Sequence, residues 1–246
     1  MALKASPEDQ ALLLELQALD TKLAQLDHRS KSLPEIATLA GFAKDVDALR
    51  LTLGERNGTL EDVKLELARI ESDVRVVETR IARDSERAQA SSSVKDVTAL
   101  EQELASLRKR LGDLEEIELV VMEKLEDQQK SVDDVAAALA ALTARASEVE
   151  GERDVALSAI ASERAVAAAG RAEIAGRVPA DLLALYERQR SRYGTGASLL
   201  RGGVSLASGV KLLENEMQAI RAAAPDDIIM CASSEAILVR TAESGL

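Results

Sequence analysis

Aromatic side chains are nearly missing from these 246 residues: two tyrosines, one phenylalanine and no tryptophan. Globular cores rely on aromatics because each buries a large area. Their scarcity argues against one conventional core. Cysteine and histidine are just as scarce, with only Cys231 and His28, more than two hundred residues apart. That excludes an intrachain disulfide framework and leaves no His–Cys dyad legible in the sequence. No Gly-rich phosphate loop appears, and no apolar run approaches the length of a membrane span. The start, Met1 to Pro7, has no apolar signal core and leads into a helix, so the expected location is the cytoplasm. Positive charge is in deficit. With 31 basic and 43 acidic residues the net charge is −12, which disfavours generic binding to nucleic acid or anionic membranes.

What the chain does have is a long heptad pattern. Apolar residues recur in alternating steps of three and four: Leu39, Phe42, Val46, Leu49, Leu53, then Leu60, Val63, Leu67, Ile70, Val74, Val77 and Ile81. After a serine-rich break the pattern resumes at Val97, Leu100, Leu104, Leu107, Leu111 and Leu114. It continues through Val121, Leu125, Val132, Val135, Leu139 and Leu142. A sustained 3.5-residue period specifies a coiled coil. Two such arms around one short break specify an antiparallel hairpin, with its tip near residues 88–95. Arms of this length extend about 70 Å at 1.5 Å per residue. Matching the arms about residue 89 places Ile81 near Val97 and Leu39 near Leu139. It also sets Gln128 at the level of Leu49–Leu53 and allows a cross-arm Arg56–Glu118 pair. The pattern is unbroken across Gly54 and Gly58, so this stretch reads as helix, though soft or bent.

Ser6-Pro7-Glu8-Asp9 opens an earlier helix, with Ser6 as its cap and the acids at the positive end of its dipole. Pro34 forces a joint near residues 28–34, and Ser32 with Glu35 reads as a capping box restarting the chain. Ser93 with Asp96 reads the same way for the returning arm. Beyond Val149 the pattern loosens into an Ala-rich tract, expected to pack on residues 7–30. A short amphipathic helix follows from Ala180 to about Arg192. Then come short strands: Ser198–Arg201, Val210–Leu213, Ile228–Met230 and Ile237–Val239, with a helix over Asn215–Ala223. The fold class is therefore mainly α: a hairpin over 1–178 and a small α+β domain over 179–246.

The C-terminal residues carry a resemblance. The order Gly194-Thr195-Gly196-Ala197-Ser198-Leu199-Leu200-Arg201, then Ile220-Arg221-Ala222-Ala223-Ala224-Pro225, then Cys231-x-x-Ser234, then Ala236 to Thr241 resembles the C4-type zinc-ribbon proteins with a long N-terminal coiled-coil hairpin. Val97–Leu104 and Leu114–Leu119 of the returning arm resemble them too. The resemblance implies two Cys-x-x-Cys knuckles holding one zinc. Here they fall on Ser205–Ser208 and Cys231–Ser234, so three of the four ligand positions are serine. Structural zinc takes N or S donors, so the ribbon reads as degenerate, with no metal and no cofactor. The resemblance also implies an interaction role, since relatives act as chaperone-like scaffolds in flagellar or type III export and with sigma-54, and one is linked to mRNA.

Function is therefore expected to be that of a non-enzymatic adaptor or chaperone-like scaffold for protein partners, as a monomer or weak homodimer. The alternative is a protein that binds RNA or DNA through a basic junction. The candidate partner-binding residues are Tyr186, Arg188, Arg190, Arg192, Tyr193 and Arg201, because Tyr and Arg dominate interface energetics. Carboxylates lie along solvated helix faces, and no catalytic residue is expected.

Overall fold

The computed structural model describes residues 3–246. Helices α1 (Pro7–Lys31), α2 (Pro34–Ala90), α3 (Val94–Arg177) and α4 (Ala180–Tyr193) come first. Then follow β1 (Ala197–Arg201), β2 (Val204–Ser205), α5 (Glu214–Ala222), β3 (Ile229–Met230), β4 (Ile237–Val239) and a 3-10 turn at Ala242–Ser244. The protein is mainly helical, with a helical hairpin and a small C-terminal α+β region. The chain divides into two compact units, one of Met1–Ile36 with Glu152–Leu246 and one of Ala37–Gly151. The composition shift at 178–179 does not mark that division. The first helix and the end of α3 belong to the same unit as the strands.

In the unit of residues 37–151, α2 and α3 are joined by Ser91–Ser93. The Ser93 hydroxyl accepts from the Asp96 N–H at 3.4 Å and opens α3. Leu60, Ile70, Leu104, Leu114, Val121 and Val132 are the apolar seam residues here that become fully buried. Two helices cover each seam residue on one side only, so most of the repeat remains half-buried. Gly54 and Gly58 lie inside uninterrupted helix, and a Cβ at either would meet nothing. The register differs from a match about residue 89. Arg80 pairs with Glu103, and Arg145 sits over the Phe42 ring, its guanidinium carbon 5.5 Å from the centroid. Both contacts centre near residue 92, so Ile81 stands nearer the level of Leu104 than of Val97. The proposed opposition of Arg56 to Glu118 shifts with it.

In the other unit, α1 lies along the last turns of α3. Ser6 caps α1 as its sequence implies, accepting from Asp9 N–H at 3.1 Å. The Ala-rich tract does pack there: Ala167 is buried, and a Cβ on Gly170 would stand 3.7 Å from Leu19 Cδ1. Leu26 and Leu33 close on Ile160. Ser32 behaves differently from a capping-box residue. Its hydroxyl donates back to His28 O at 2.9 Å, so it closes α1 rather than opening α2.

The strands form one sheet in the order β2-β1-β4-β3, with β1 and β4 parallel and the other pairs antiparallel. Successive strand side chains face opposite ways. Ala197, Ile237 and Val239 therefore join Leu13, Leu16, Leu182 and Tyr186 on one side. Leu200 and Leu238 join Leu212, Met217, Ile220 and Cys231 on the other. Residues 210–213 are not a strand. The partner of β1 is Val204–Ser205 instead, because Gly202 and Gly203, both at positive φ, turn the chain immediately after β1 rather than later.

Candidate functional site

The two serine-bearing turns keep one backbone shape. In the first, Gly209 N–H donates to Ser205 O at 2.8 Å and Ser205 N–H to Val210 O at 3.2 Å. In the second, Glu235 N–H donates to Cys231 O at 2.8 Å and Cys231 N–H to Ala236 O at 2.9 Å. The fifth residue of each has positive φ, Gly209 at 67° and Glu235 at 57°. Glu235 is the only non-glycine with positive φ among the described residues. These are two copies of one knuckle, in the register the sequence suggested.

The donors inside them do not fit zinc. Cys231 is fully buried and is the single thiol. Ser205 Oγ and Ser234 Oγ are buried with no oxygen or nitrogen partner, while Ser208 Oγ accepts from Val210 N–H. A hydroxyl remains protonated at neutral pH and is a poor substitute for thiolate. Burial pushes the Cys231 thiol up, but the hydroxyls of Ser205 and Ser234 and the N–H groups of Ser233 and Ser234 outweigh it and hold the thiol below its ordinary value.

Other bonds hold the ribbon. Arg240, at the end of β4, donates to the carbonyls of Ala223 (3.2 Å), Ala224 (2.7 Å), Pro225 (3.0 Å) and Asp227 (2.9 Å). These include the carbonyls left open where α5 ends, which a cation satisfies well. Gln10 is buried and ties Ala5 O to Pro225 O through its amide. Ser244 Oγ donates to Leu200 O at 2.8 Å.

The densest cluster of charges joins α1, α3 and α4. Arg171 donates to Asp20 Oδ1 at 2.6 Å and Oδ2 at 3.2 Å, and also pairs with Glu187. Arg190 grips Glu187 at 2.7 Å and approaches Asp20 at 3.5 Å. The Tyr186 hydroxyl donates to Asp20 Oδ2 at 2.7 Å. Burial first, then Asp20, pushes the Tyr186 hydroxyl well above its ordinary value. Hydrogen bonds to Asp20 push the Arg171 guanidinium up against its desolvation. Glu187 is held below the usual carboxylate range because its pairing with Arg171 and Arg190 exceeds the effect of burial. Each acid already has its cation, so the cluster locks three helices together.

This arrangement sorts the six residues singled out in the sequence. Tyr186 is fully buried and cannot touch a partner; it is a core ring with a hydrogen-bonded tip. Arg190 is committed to Glu187. Arg201 pairs with Glu243 at 2.9 Å. Arg188, Arg192 and Tyr193 are exposed, and Arg192 lies over the Tyr193 ring at 5.3 Å. The six thus divide between the inside of the unit and its surface, because the helical period turns Tyr186 and Arg190 inward and Arg188 and Arg192 outward.

A second apolar feature lies on α3. Ile117, Leu119, Val120 and Met122 of α3 are all exposed, Leu119 the most at 62 %. Only Val121 of that run enters the seam. Five apolar residues in six exceed what a heptad requires, and that excess was the available signal.

Comparison with known proteins gives a consistent picture. A family model described as the CT398-like coiled coil hairpin domain matches residues 16–194. An uncharacterized protein of Mycobacterium tuberculosis, Rv2229c in strain H37Rv, is 31% identical over 239 residues, covering 97% of this chain and 98% of that one. A solved structure from Mycobacterium smegmatis has a TM-score of 0.87 at 32% identity, covering 97% of this chain and all of the other. CT398 from Chlamydia trachomatis shares the fold, with a TM-score of 0.66, 18% identity and coverage of 95% and 98%. HP0958 from Helicobacter pylori does so at 0.51, 15% identity and coverage of 96% and 98%.

Proposed function

The chain belongs to the CT398-like coiled coil hairpin family, and from that premise we propose that it is a non-enzymatic, cytoplasmic adaptor whose partners are proteins. One observation carries the reading: Ile117, Leu119, Val120 and Met122 are all exposed within two turns of the acidic helix α3, Ile117 with Val120 on one flank and Leu119 with Met122 on the other. Exposed apolar side chains beyond those the seam needs suit a site for another protein. The charge clusters agree with a structural role, since Asp20, Arg171, Glu187 and Arg190 satisfy one another. No described helix is long and apolar enough to cross a membrane. The test is capture from lysate on immobilised protein, with and without nuclease, beside a Leu119→Glu/Met122→Glu variant. Partners that survive nuclease and are lost with the variant support the adaptor; capture that vanishes with nuclease overturns it.

A second reading rests on Arg188, Arg192 and Tyr193, exposed together at the end of α4. Cations beside an aromatic ring suit single-stranded nucleic acid. Under that reading nuclease removes every partner, and Arg188→Ala/Arg192→Ala abolishes the binding.

A further inference from the structure

The distal part of α2 bears all its positive charge as arginine. Between residues 69 and 90 there are five arginines and no lysine: Arg69, Arg75, Arg80, Arg83 and Arg87. At 3.6 residues per turn these five fall on the side of α2 turned away from the seam residues Ile70, Val74, Val77 and Ile81. Of the exposed acids in the stretch, Glu86 lies inside that face and Asp73 at its edge, while Glu71 and Glu78 occupy the other flank. Charge is thus segregated by face, on a chain whose net charge is −12.

Three further features make this face a specific surface. Arg75, Arg80 and Arg83 line one shallow cavity of about 580 Å³ with Ser72, Thr79 and Val76. Val76 is 64 % exposed at its middle, an apolar contact point among cations. About two turns further along α2, Asp84 is fully buried at a seam position, with neither carboxylate oxygen hydrogen-bonded. The guanidiniums of Arg83 and Arg87 stand 3.5 Å from it and that of Arg80 stands 3.8 Å away. Arg80 also donates to Glu103 of α3, whereas Arg83 and Arg87 are attracted by this buried anion without hydrogen-bonding it, which restricts where their side chains can go and leaves their donors available. Arg69 and Arg75 form no ion pair among the described residues.

We propose that this face of α2 docks an acidic helix of a partner protein. Charge complementarity selects the acid, and arginine forks match carboxylates bidentately. The shape of the face selects a helix. The residues Arg69, Ser72, Val76, Thr79, Arg83 and Arg87 recur in steps of three and four along about 27 Å of straight helix. A second helix laid alongside meets such a stripe along its whole length, with an apolar residue against Val76 and carboxylates against the arginines. A single strand of nucleic acid is a poorer fit, because no aromatic residue lies in the stripe to stack on a base.

The proposal deepens the adaptor reading and rests on it, but the two fail separately, since the capture experiment above reads the apolar patch of α3. The probe is a fluorescein-labelled 21-residue helical peptide with glutamates on one face and one leucine per heptad, titrated with the full chain and followed by anisotropy. Controls are the same peptide with lysines, a 20-base-pair DNA duplex, and the chain alone in sedimentation. Arg69 and Arg75 form no ion pair among the described residues, so Arg69→Glu/Arg75→Glu is expected to keep the fold, which circular dichroism verifies. The acidic peptide is expected to bind at low salt, to weaken as salt screens the contact, and to lose about tenfold in affinity with the double variant. Arg188→Ala/Arg192→Ala should leave it unchanged. Failure of the peptide to bind, or indifference to the double variant, overturns the proposal. Tighter arginine-dependent binding of the duplex gives the face to nucleic acid, and a dimer abolished by the double variant gives it to a second copy; either also overturns it.

Discussion

Tyr186 and Asp20 meet at 2.7 Å between α4 and α1, a phenol donating to a buried carboxylate. The bond sits at the centre of the ionic cluster, and Asp20 depends on it to satisfy an oxygen that Arg171 alone reaches only at 3.2 Å. Tyr186→Phe keeps the ring and removes the donor. The variant is expected to lose about 1–3 kcal/mol of stability, read as a lower urea midpoint with an unchanged slope.

Glu187 adds a pH dependence. Its folded pKa lies below its ordinary value because Arg171 and Arg190 outweigh burial. A depressed carboxylate contributes its stability in full above the unfolded value near 4.3 and loses it as pH falls through the folded value. The gap in thermal midpoint between the wild type and Glu187→Gln is therefore expected to be widest near neutrality and to close as the solution is acidified below pH 4. A gap that widens in acid would contradict the pairing.

Gly196 is packed against the same tyrosine. A Cβ there would stand 2.5 Å from Tyr186 Cδ2 and Cε2 and 2.8 Å from Tyr186 O. Backbone and a buried ring leave little room to yield. Gly196→Ala is expected to cost about 1–3 kcal/mol, and Tyr186→Ala introduced beside it should recover less than it costs, because the carbonyl clash remains.

The retained knuckles lead to a gain-of-function experiment. Wild-type protein is expected to carry no stoichiometric zinc and to melt at the same temperature with or without chelator. Ser205→Cys, Ser208→Cys and Ser234→Cys together supply three thiols around Cys231. The triple variant is expected to bind about one zinc per chain and to become chelator-sensitive, measured by elemental analysis and thermal melts. A triple variant that folds yet takes no zinc would show that the turns have drifted out of ligand geometry.

Glu235 occupies the left-handed region at φ 57°, where Gly209 stands in the matching turn. An L-residue there costs about 1–2 kcal/mol, offset in part by the greater chain entropy of glycine. Glu235→Gly is expected to raise stability by about 0.5–1 kcal/mol, visible as a higher denaturant midpoint.

The heptad repeat made the hairpin legible, because a 3.5-residue period has one structural meaning when sustained over a dozen turns. The level at which the arms match was not legible. Any seam residue accepts several partners, and only contacts such as Arg80–Glu103 and Phe42–Arg145 fix the register. The knuckles were legible only through the resemblance to zinc-ribbon proteins, whose ligand positions fall on Ser205, Ser208, Cys231 and Ser234; a serine pair at that spacing carries no signal of its own. Tyr186 was misplaced because tyrosine followed by arginines describes a binding surface and a buried anchor equally well. What decides between them is Asp20, 166 residues away, whose charge no local pattern brings to Tyr186. Residues 210–213 read as a strand from their apolar content, but paired glycines turned the chain earlier.

The two knuckles close through main-chain bonds, and Arg240 fastens the loop between them. A ribbon built this way need not find an ion before it folds. Zinc starvation that empties metal-bearing ribbons is therefore expected to leave this protein at its usual abundance. Oxidants that eject zinc from four-thiolate sites would likewise find one buried sulfur and nothing to release.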